Sequence, residues 1–430
     1  MKPSMQPYKG ARDFYPEDKA VQKWIFNKWR RVVERYGYVE YDAPILEPTD
    51  LYLIKGSEEI IQEQTYTFLD RGERSVTIRT EMTPSVSRMI AGRRQELAYP
   101  VRWYSIPNLW RYERMQRGRL REFWQLNVDM FGVENGQAEL EMIQIVDDLF
   151  QAFKAKRTSY VIKVNSRVLV TEVLTSLGIL AERTVAAIRL IDKIQKMPPK
   201  DFALALDHIT GSSATSRTLI SFLAVKEIDE LPEQLRSSKS AQEIAVLLSS
   251  ARALGIRNVE FDMTLMRGFD YYTDIVFEAF ATDTENNRSV LGGGRYDGLV
   301  GQFGVEPVPT VGFAVGDVVF SDFLMTNKLI PVMKQTIDVV VLVRDEQAMA
   351  GAVLSARELR EIGVNTAVDT TGRKLDKQLK SAIKSGVRYI VFIGVEELET
   401  EQFTLKDVKT GKEEKHSLAR IVSIVKDARK

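Results

Sequence analysis

Apolar residues recur at helical spacing from Asp18 to Tyr36. Val21, Trp24, Ile25, Trp29, Val32, Val33 and Tyr36 form one face between lysines and arginines, and Gly37 ends the pattern. The period then shortens. Tyr38 to Leu46 predicts a strand interrupted by Pro44, a residue confined to strand ends, edges or interfaces because it donates no ladder hydrogen bond. From Thr77 to Phe131, runs such as Val101 to Ile106 and Phe123 to Met130 alternate with turns and predict a largely antiparallel sheet. Between about Ser166 and Ile256 strand signals almost vanish. Short helical periods there are punctuated by Gly178, Pro198-Pro199 and Gly211-Ser212-Ser213, the pattern of a helical insertion between two parts of one sheet domain. Strand signals return from Asn258 to Phe320, and Leu329-Ile330-Pro331 reads as a linker.

The last hundred residues follow a different grammar. Ile337 to Val343 reads as a buried strand, Glu346 to Ile362 as a helix, Val364 to Val368 as a strand, Lys374 to Lys384 as a helix and Arg388 to Ile393 as a strand. This alternation implies βαβ units with parallel pairing, completed by a hairpin near Thr410-Gly411 and a helix from Ser417. The predicted organisation is therefore a first sheet segment over 1–165, a helical insertion over 166–256, a second sheet segment over 257–328 and a separate α/β unit over 332–430. Arg373, Lys374, Lys377, Lys380 and Lys384 could share one helix face, either simply solvated or in contact with a phosphate backbone.

Composition narrows the chemistry. The 430 residues suit two or three domains, and 60 basic against 59 acidic residues leave a formal charge of +1, so any nucleic-acid contact must come from local basic surfaces. Cysteine is absent, which removes disulfides, thiolate metal sites and thiol catalysis. Only His208 and His416 are present, and both sit in contexts that read as structural or solvated. The start of the chain lacks a signal-peptide pattern and no apolar run approaches the roughly 20 residues that span a bilayer, from which a cytoplasmic protein is expected.

Three blocks carry candidate chemistry. Arg267-Gly268-Phe269-Asp270-Tyr271-Tyr272 and Leu291-Gly292-Gly293-Gly294-Arg295-Tyr296-Asp297-Gly298 set arginines, phenols and glycines beside apolar strands. Charged groups in such places need a ligand or partner, and glycines allow close approach of a ligand. The third block runs from Arg102 to Arg121, with Arg111, Arg114, Arg117 and Arg119 interleaved with Glu113. Period-two alternation puts Arg111 and Glu113 on one side, where a guanidinium could hold a phosphate and a carboxylate could accept from an exocyclic amine. The basic loop Arg114 to Gly118 suits a phosphate backbone such as a tRNA acceptor end, or else forms a surface hairpin with ion pairs. No GxxxxGK[ST], helix-opening GxGxxG or HExxH motif is present.

In this order, Arg79-Thr80-Glu81-Met82-Thr83, the block from Arg111 to Asp129, the hexapeptide from Arg267 and the Gly292 to Gly298 segment, expected to be a loop, resemble the histidyl-tRNA synthetases, a class II aminoacyl-tRNA synthetase family. The opening Tyr8 to Phe14 is similar to that family's start, and the resemblance covers almost the whole chain. It implies an α+β fold: an antiparallel-sheet catalytic core with a helical insertion, plus a C-terminal α/β domain of the anticodon-binding kind. It also implies a homodimer with Pro44 at the interface, histidine and ATP as substrates, tRNA(His) as acceptor and Mg2+ beside the triphosphate. Carried over, Arg111 and Arg267 are the catalytic arginines on the ATP α-phosphate, with Glu113 on adenine and Arg119 among the ATP ligands. Glu81, Thr83, Gln125 and Asp129 would hold the ammonium and backbone end of histidine, with Tyr271, Tyr272 and Tyr296 around the imidazole and Gln116 near the acceptor end. The resemblance identifies no protein ligands for the metal. One departure stands out: Val319 falls where the family's motif 3 arginine would grip ATP, which could remove about 1.5–3 kcal/mol of charge-assisted contact. The alternative is a noncatalytic paralogue that senses histidine as a regulatory subunit of ATP phosphoribosyltransferase.

Overall fold

The helix predicted from Asp18 runs from Pro16 to Arg35 in the computed structural model, which describes residues 3–53, 64–266, 271–282, 289–333 and 336–428. Pro16 opens it where no intrahelical donor is needed, and Glu17 and Asp18 complement the positive end of the helix dipole. Its buried face is Gln22, Ile25, Phe26, Trp29, Val32 and Val33; Gln22 and Phe26 turn inward beyond the predicted set, while Val21, Trp24 and Tyr36 of that set are only partly buried. The Trp29 ring lies 5.4 Å from both Phe26 and Phe320. Truncating a side chain so fully enclosed would cost about 3–5 kcal/mol.

That helix packs on a large sheet. Its strands are β1 (Val39–Glu40), β5 (Val101–Ser105), β6 (Asn108–Trp110), β7 (Glu122–Phe131), β8 (Tyr160–Ser166), β9 (Val259–Phe261), β10 (Ile275–Ala281), β11 (Ser289–Arg295) and β12 (Thr310–Gly316). Among the described residues the sheet is nine-stranded and ordered β1-β5-β7-β12-β11-β10-β8-β9, with β6 paired to β7. Pairing is antiparallel except at the two ends, where β1 joins β5 and β8 joins β9 in parallel. A smaller antiparallel sheet combines β2 (Leu46–Pro48), β3 (Tyr66–Leu69) and β4 (Ser75–Ile78).

Two local expectations change. The segment from Tyr38 to Leu46 is not one strand: β1 ends at Glu40, β2 starts at Leu46, and Pro44 lies exposed in the connection. The stretch between Thr77 and Val101 also contains a helix, Thr83–Gly92, where the pattern predicts only strands and turns. Pro84 sits in its first turn, and its buried face mixes Val86 and Ile90 with Ser85 and Ser87, so its apolar stripe is narrow.

From Arg167 to Ala253 the named elements are all helical, among them Arg167–Ser176, Pro199–Thr210, Ser213–Leu223 and Lys239–Ala253. Leu206, Leu219 and Ile244 join the same hydrophobic core as Trp29 and Phe320. The chain divides into two compact units, Met1–Pro331 and Val332–Lys430. In the second, β13 (Val339–Val343), β14 (Thr366–Val368) and β15 (Tyr389–Ile393) pair in parallel, and β16 (Phe403–Asp407) and β17 (Glu413–His416) add an antiparallel hairpin. Helices Met349–Glu361, Leu375–Lys384 and Leu418–Asp427 complete it, with a short helix Val395–Thr400 that the apolar pattern does not signal. Among the described residues no helix is long and apolar enough to cross a membrane.

Candidate active site

The floor of the site is the middle of the large sheet. Asp129 on β7 is buried, and the hydroxyl of Tyr296, just past β11, donates a hydrogen bond to its Oδ1. Gly312 on β12 makes room for this pair: a Cβ there would lie 2.2 Å from Asp129 Oδ1 and 3.0 Å from the Tyr296 hydroxyl. Burial pushes the Asp129 carboxyl up to about 7, and the hydrogen bond from Tyr296 offsets only part of that. The same burial, with Asp129 alongside, raises the Tyr296 phenol well above its ordinary value. Among the described residues no cation offsets a negative charge at this spot, a part that an ammonium group could take.

Tyr271 and Tyr272 wall the site. Their ring centroids lie 4.8 Å apart, and Tyr271 approaches Tyr296 to 5.6 Å edge-on. Tyr271 also hydrogen-bonds Glu81, so polar contacts line the site from Glu81 through the tyrosines to Asp129. Glu81 is buried, and burial raises its carboxyl; Arg111 and the Tyr271 hydrogen bond pull it back down. Thr83 begins the helix that comes next in the chain, and Gln125 lies on β7 two and four residues before Asn127 and Asp129, hence on the same face.

Arg111 and Glu113 extend from the β6–β7 hairpin. The Arg111 Nε donates to the Thr80 carbonyl at 3.0 Å, and its guanidinium lies 5.4 Å from the Phe123 ring centroid, leaving Nη1 3.9 Å from Glu113 Oε1. Glu113 Oε2 accepts from Arg119 Nη1 at 3.1 Å. The hairpin closes between Gln116 and Arg119, which exchange backbone hydrogen bonds around Gly118 at φ +77°. Its tip is tied down rather than free: Arg117 makes a forked pair with Asp322, on the helix Asp317–Thr326. That helix also carries Val319, and a Cβ on Gly118 would lie 3.3 Å from Val319 Cγ2. Position 319 is thus covered by the hairpin turn. Two residues earlier, Asp317 pairs with Arg12 at 2.7 Å and accepts the Trp124 backbone N–H at 2.9 Å.

The geometry brings together Glu81, Arg111, Tyr271, Tyr272, Tyr296 and Asp129 in one group, and Glu113, Arg119 and Gln116 on the adjoining hairpin. Arg267, with Gly268, Phe269 and Asp270, lies outside the described residues. One expectation for the glycine block is overturned, and another is met from within the protein. Gly292 to Gly294 lie within β11 rather than in a loop, and Cβ atoms on Gly293 and Gly294 would meet the Gly312 carbonyl at 2.2 Å and the Ile275 carbonyl at 2.6 Å. They admit neighbouring strands, and at Gly294 the Tyr272 ring, to close approach. Arg295 needs no ligand, because Glu139 holds it at 2.6 and 2.9 Å and both are buried. Sequence reasoning passed over Asn127, a buried amide between Gln125 and Asp129, and the alternation along β7 was the signal for it. Among the described residues no group of three or more histidine, cysteine, aspartate or glutamate side chains is arranged to hold a metal ion.

The chain as a whole resembles known proteins. The sequence profile of the family described as Histidyl-tRNA synthetase matches residues 10–317, and that of the Anticodon binding domain matches residues 336–428. The histidine–tRNA ligase of Leptospira biflexa is 39% identical over 425 residues, 98% of this chain and 97% of that protein. The histidine–tRNA ligase of Thermoplasma volcanium is 36% identical over 420 residues, 96% of each. Among solved structures, the apo histidyl-tRNA synthetase of S. aureus superposes with a TM-score of 0.75 at 25% identity, over 98% of this chain and 100% of that one. The histidyl-tRNA synthetase of Nostoc sp. PCC 7120 shares the fold with a TM-score of 0.84 at 24% identity, over 99% and 100%.

Proposed function

This chain belongs to the histidyl-tRNA synthetase family, with the ATP-dependent ligation of histidine to tRNA as its activity, and we propose a division of that work among its residues. The observation that carries the proposal is an oriented arginine, Arg111, whose charge acts on a buried carboxylate, Glu81, which Tyr271 hydrogen-bonds while packing against Tyr272 and Tyr296.

Histidine enters with its ammonium toward Glu81, Thr83, Gln125 and Asp129 and its imidazole among the tyrosines. Its own carboxylate oxygen then attacks the α-phosphorus of ATP; the bond to the bridging oxygen breaks, pyrophosphate leaves, and histidyl-adenylate remains. No side-chain base is required, so the protein contributes positioning and positive charge. Arg111 and Arg267 take the α-phosphate, where charge builds in the transition state. Glu113 accepts from the adenine amine once the nucleotide competes with Arg119 for it, and Arg119 turns toward the phosphates. In the second step a terminal adenosine hydroxyl of tRNA(His) attacks the carbonyl carbon of the adenylate and AMP leaves, with Gln116 at the acceptor end. Magnesium arrives with the triphosphate as part of the substrate.

The class II assignment, a homodimer and a cytoplasmic location belong to this proposal. Support for the homodimer is the exposed apolar strip of Val39, Ile45 and Leu46 around Pro44, continued on β3 by Phe68 and Leu69. The regulatory-subunit alternative, which Val319 favours, is less supported, because the ligase relatives match both units of the chain. Charging of a tRNA(His) transcript with labelled histidine tests the reading: acid-precipitable, alkali-labile label on the RNA is expected, and its absence with active ATP and histidine binding would overturn it.

A further inference from the structure

Arg79 is almost wholly buried yet lies outside the group of residues that would touch substrate. Its Nη1 donates to Asp42 Oδ1 at 2.7 Å and to the Ala43 carbonyl at 2.6 Å, and its Nε donates to the Asn108 carbonyl at 2.9 Å. Its backbone is equally committed: the N–H donates to Ile45 at 2.9 Å, and the carbonyl accepts from Trp110 at 3.1 Å. One residue thereby pins three stretches of chain, the connection 42–45, the β4 end and the β6 strand that leads into Arg111.

The two residues immediately after Arg79 make this consequential. The carbonyl of Thr80 receives the Arg111 Nε and so sets the direction of that guanidinium, and the side chain after it is Glu81. A buried guanidinium is expensive to desolvate, and the dense hydrogen bonding that satisfies this one also fixes its backbone tightly. We infer that Arg79 is a positioning residue of the adenylation site, acting through the Thr80 carbonyl on Arg111 and through the main chain on Glu81. The inference rests on the roles proposed above for those two residues. It also makes the exposed Asp42, the charged partner of Arg79, an outlying member of the site.

The test is histidine-dependent ATP–pyrophosphate exchange by the full chain carrying Arg79→Met, Arg79→Lys or Asp42→Asn, each alone and combined with Arg111→Lys, with thermal unfolding recorded alongside. Arg79→Met is expected to lower kcat on the order of tenfold or more, Arg79→Lys to recover most of that, and the Arg79→Met effect to shrink to about threefold or less in the Arg111→Lys background. Asp42→Asn, a change at a side chain that is 71% exposed, should give a smaller loss in the same direction even if Arg79→Met folds poorly. A merely structural role would multiply independently with Arg111→Lys, and that result, or wild-type exchange in Arg79→Met, overturns the inference alone. Wild-type exchange in Arg111→Lys overturns the site assignment and the inference with it.

Discussion

The Tyr296 hydroxyl donates to Asp129 across a gap that stays open because position 312 is glycine. The pair is fully enclosed at the base of the proposed histidine site. Removing the hydroxyl by Tyr296→Phe takes away the hydrogen bond that eases ionisation of Asp129. The dissociation constant for histidine at pH 7 is expected to rise on the order of tenfold, a loss of about 1–3 kcal/mol at an unpaired buried group. Calorimetric titration checks it, and unchanged affinity would separate Asp129 from the ligand.

Gly312→Ala places a methyl 2.2 Å from Asp129 Oδ1 and 2.8 Å from the Val128 carbonyl. Neither the strand nor the buried carboxylate can retreat far, so histidine binding should be lost while far-ultraviolet circular dichroism stays native. Overpacking of this kind costs about 1–3 kcal/mol of stability, which a urea titration would register.

Burial lifts Asp129 to about 7, so over the interval from the ordinary value near 3.9 up to about 7 the folded protein keeps a proton that the unfolded chain has released. Stability from this group is complete below the unfolded value and is lost as pH rises through about 7. An incoming ammonium favours the ionised form, so histidine affinity runs the other way and weakens as pH falls. A roughly tenfold change per pH unit below 7 is expected in the wild type. Asp129→Asn should flatten both trends, leaving the titration of the substrate imidazole as the residual slope, and parallel slopes in the two proteins would contradict the assignment.

Arg295 and Glu139 form a buried pair that orders the strand end bearing Tyr296. Breaking it by Arg295→Met leaves Glu139 uncompensated where burial already raises its carboxyl. A loss of about 3–5 kcal/mol in urea unfolding is expected, with much of it restored by adding Glu139→Gln. An additive double variant would show that the two residues contribute separately.

The parts of the fold that were legible in the sequence carry a periodic apolar signal of their own. Ile25, Trp29, Val32 and Val33 announce a helix face, and the valine-rich run of β13 announces a strand buried on both sides. The helix Thr83–Gly92 escaped because Ser85 and Ser87 occupy its buried face, and period alone cannot register small polar residues that turn inward. Arg295 was expected to need a ligand or a partner, and the choice between them was not legible: its partner lies 156 residues away, so no local pattern announces that a charge will be satisfied within the protein. The resemblance singled out Glu81, Arg111 and Asp129, whereas Arg79 became visible only through its partners on two other chain segments, Asp42 with Ala43 and Asn108. Arg267 rests on its motif alone.

Histidine-dependent ATP–pyrophosphate exchange, run with all the amino acids and with Arg267→Ala beside the wild type, tests the central claim most directly. Exchange with histidine alone is expected, despite Val319, with a fall on the order of a hundredfold or more in the variant, the scale of a lost transition-state donor. A folded wild-type protein that binds histidine and gives no exchange would contradict the claim.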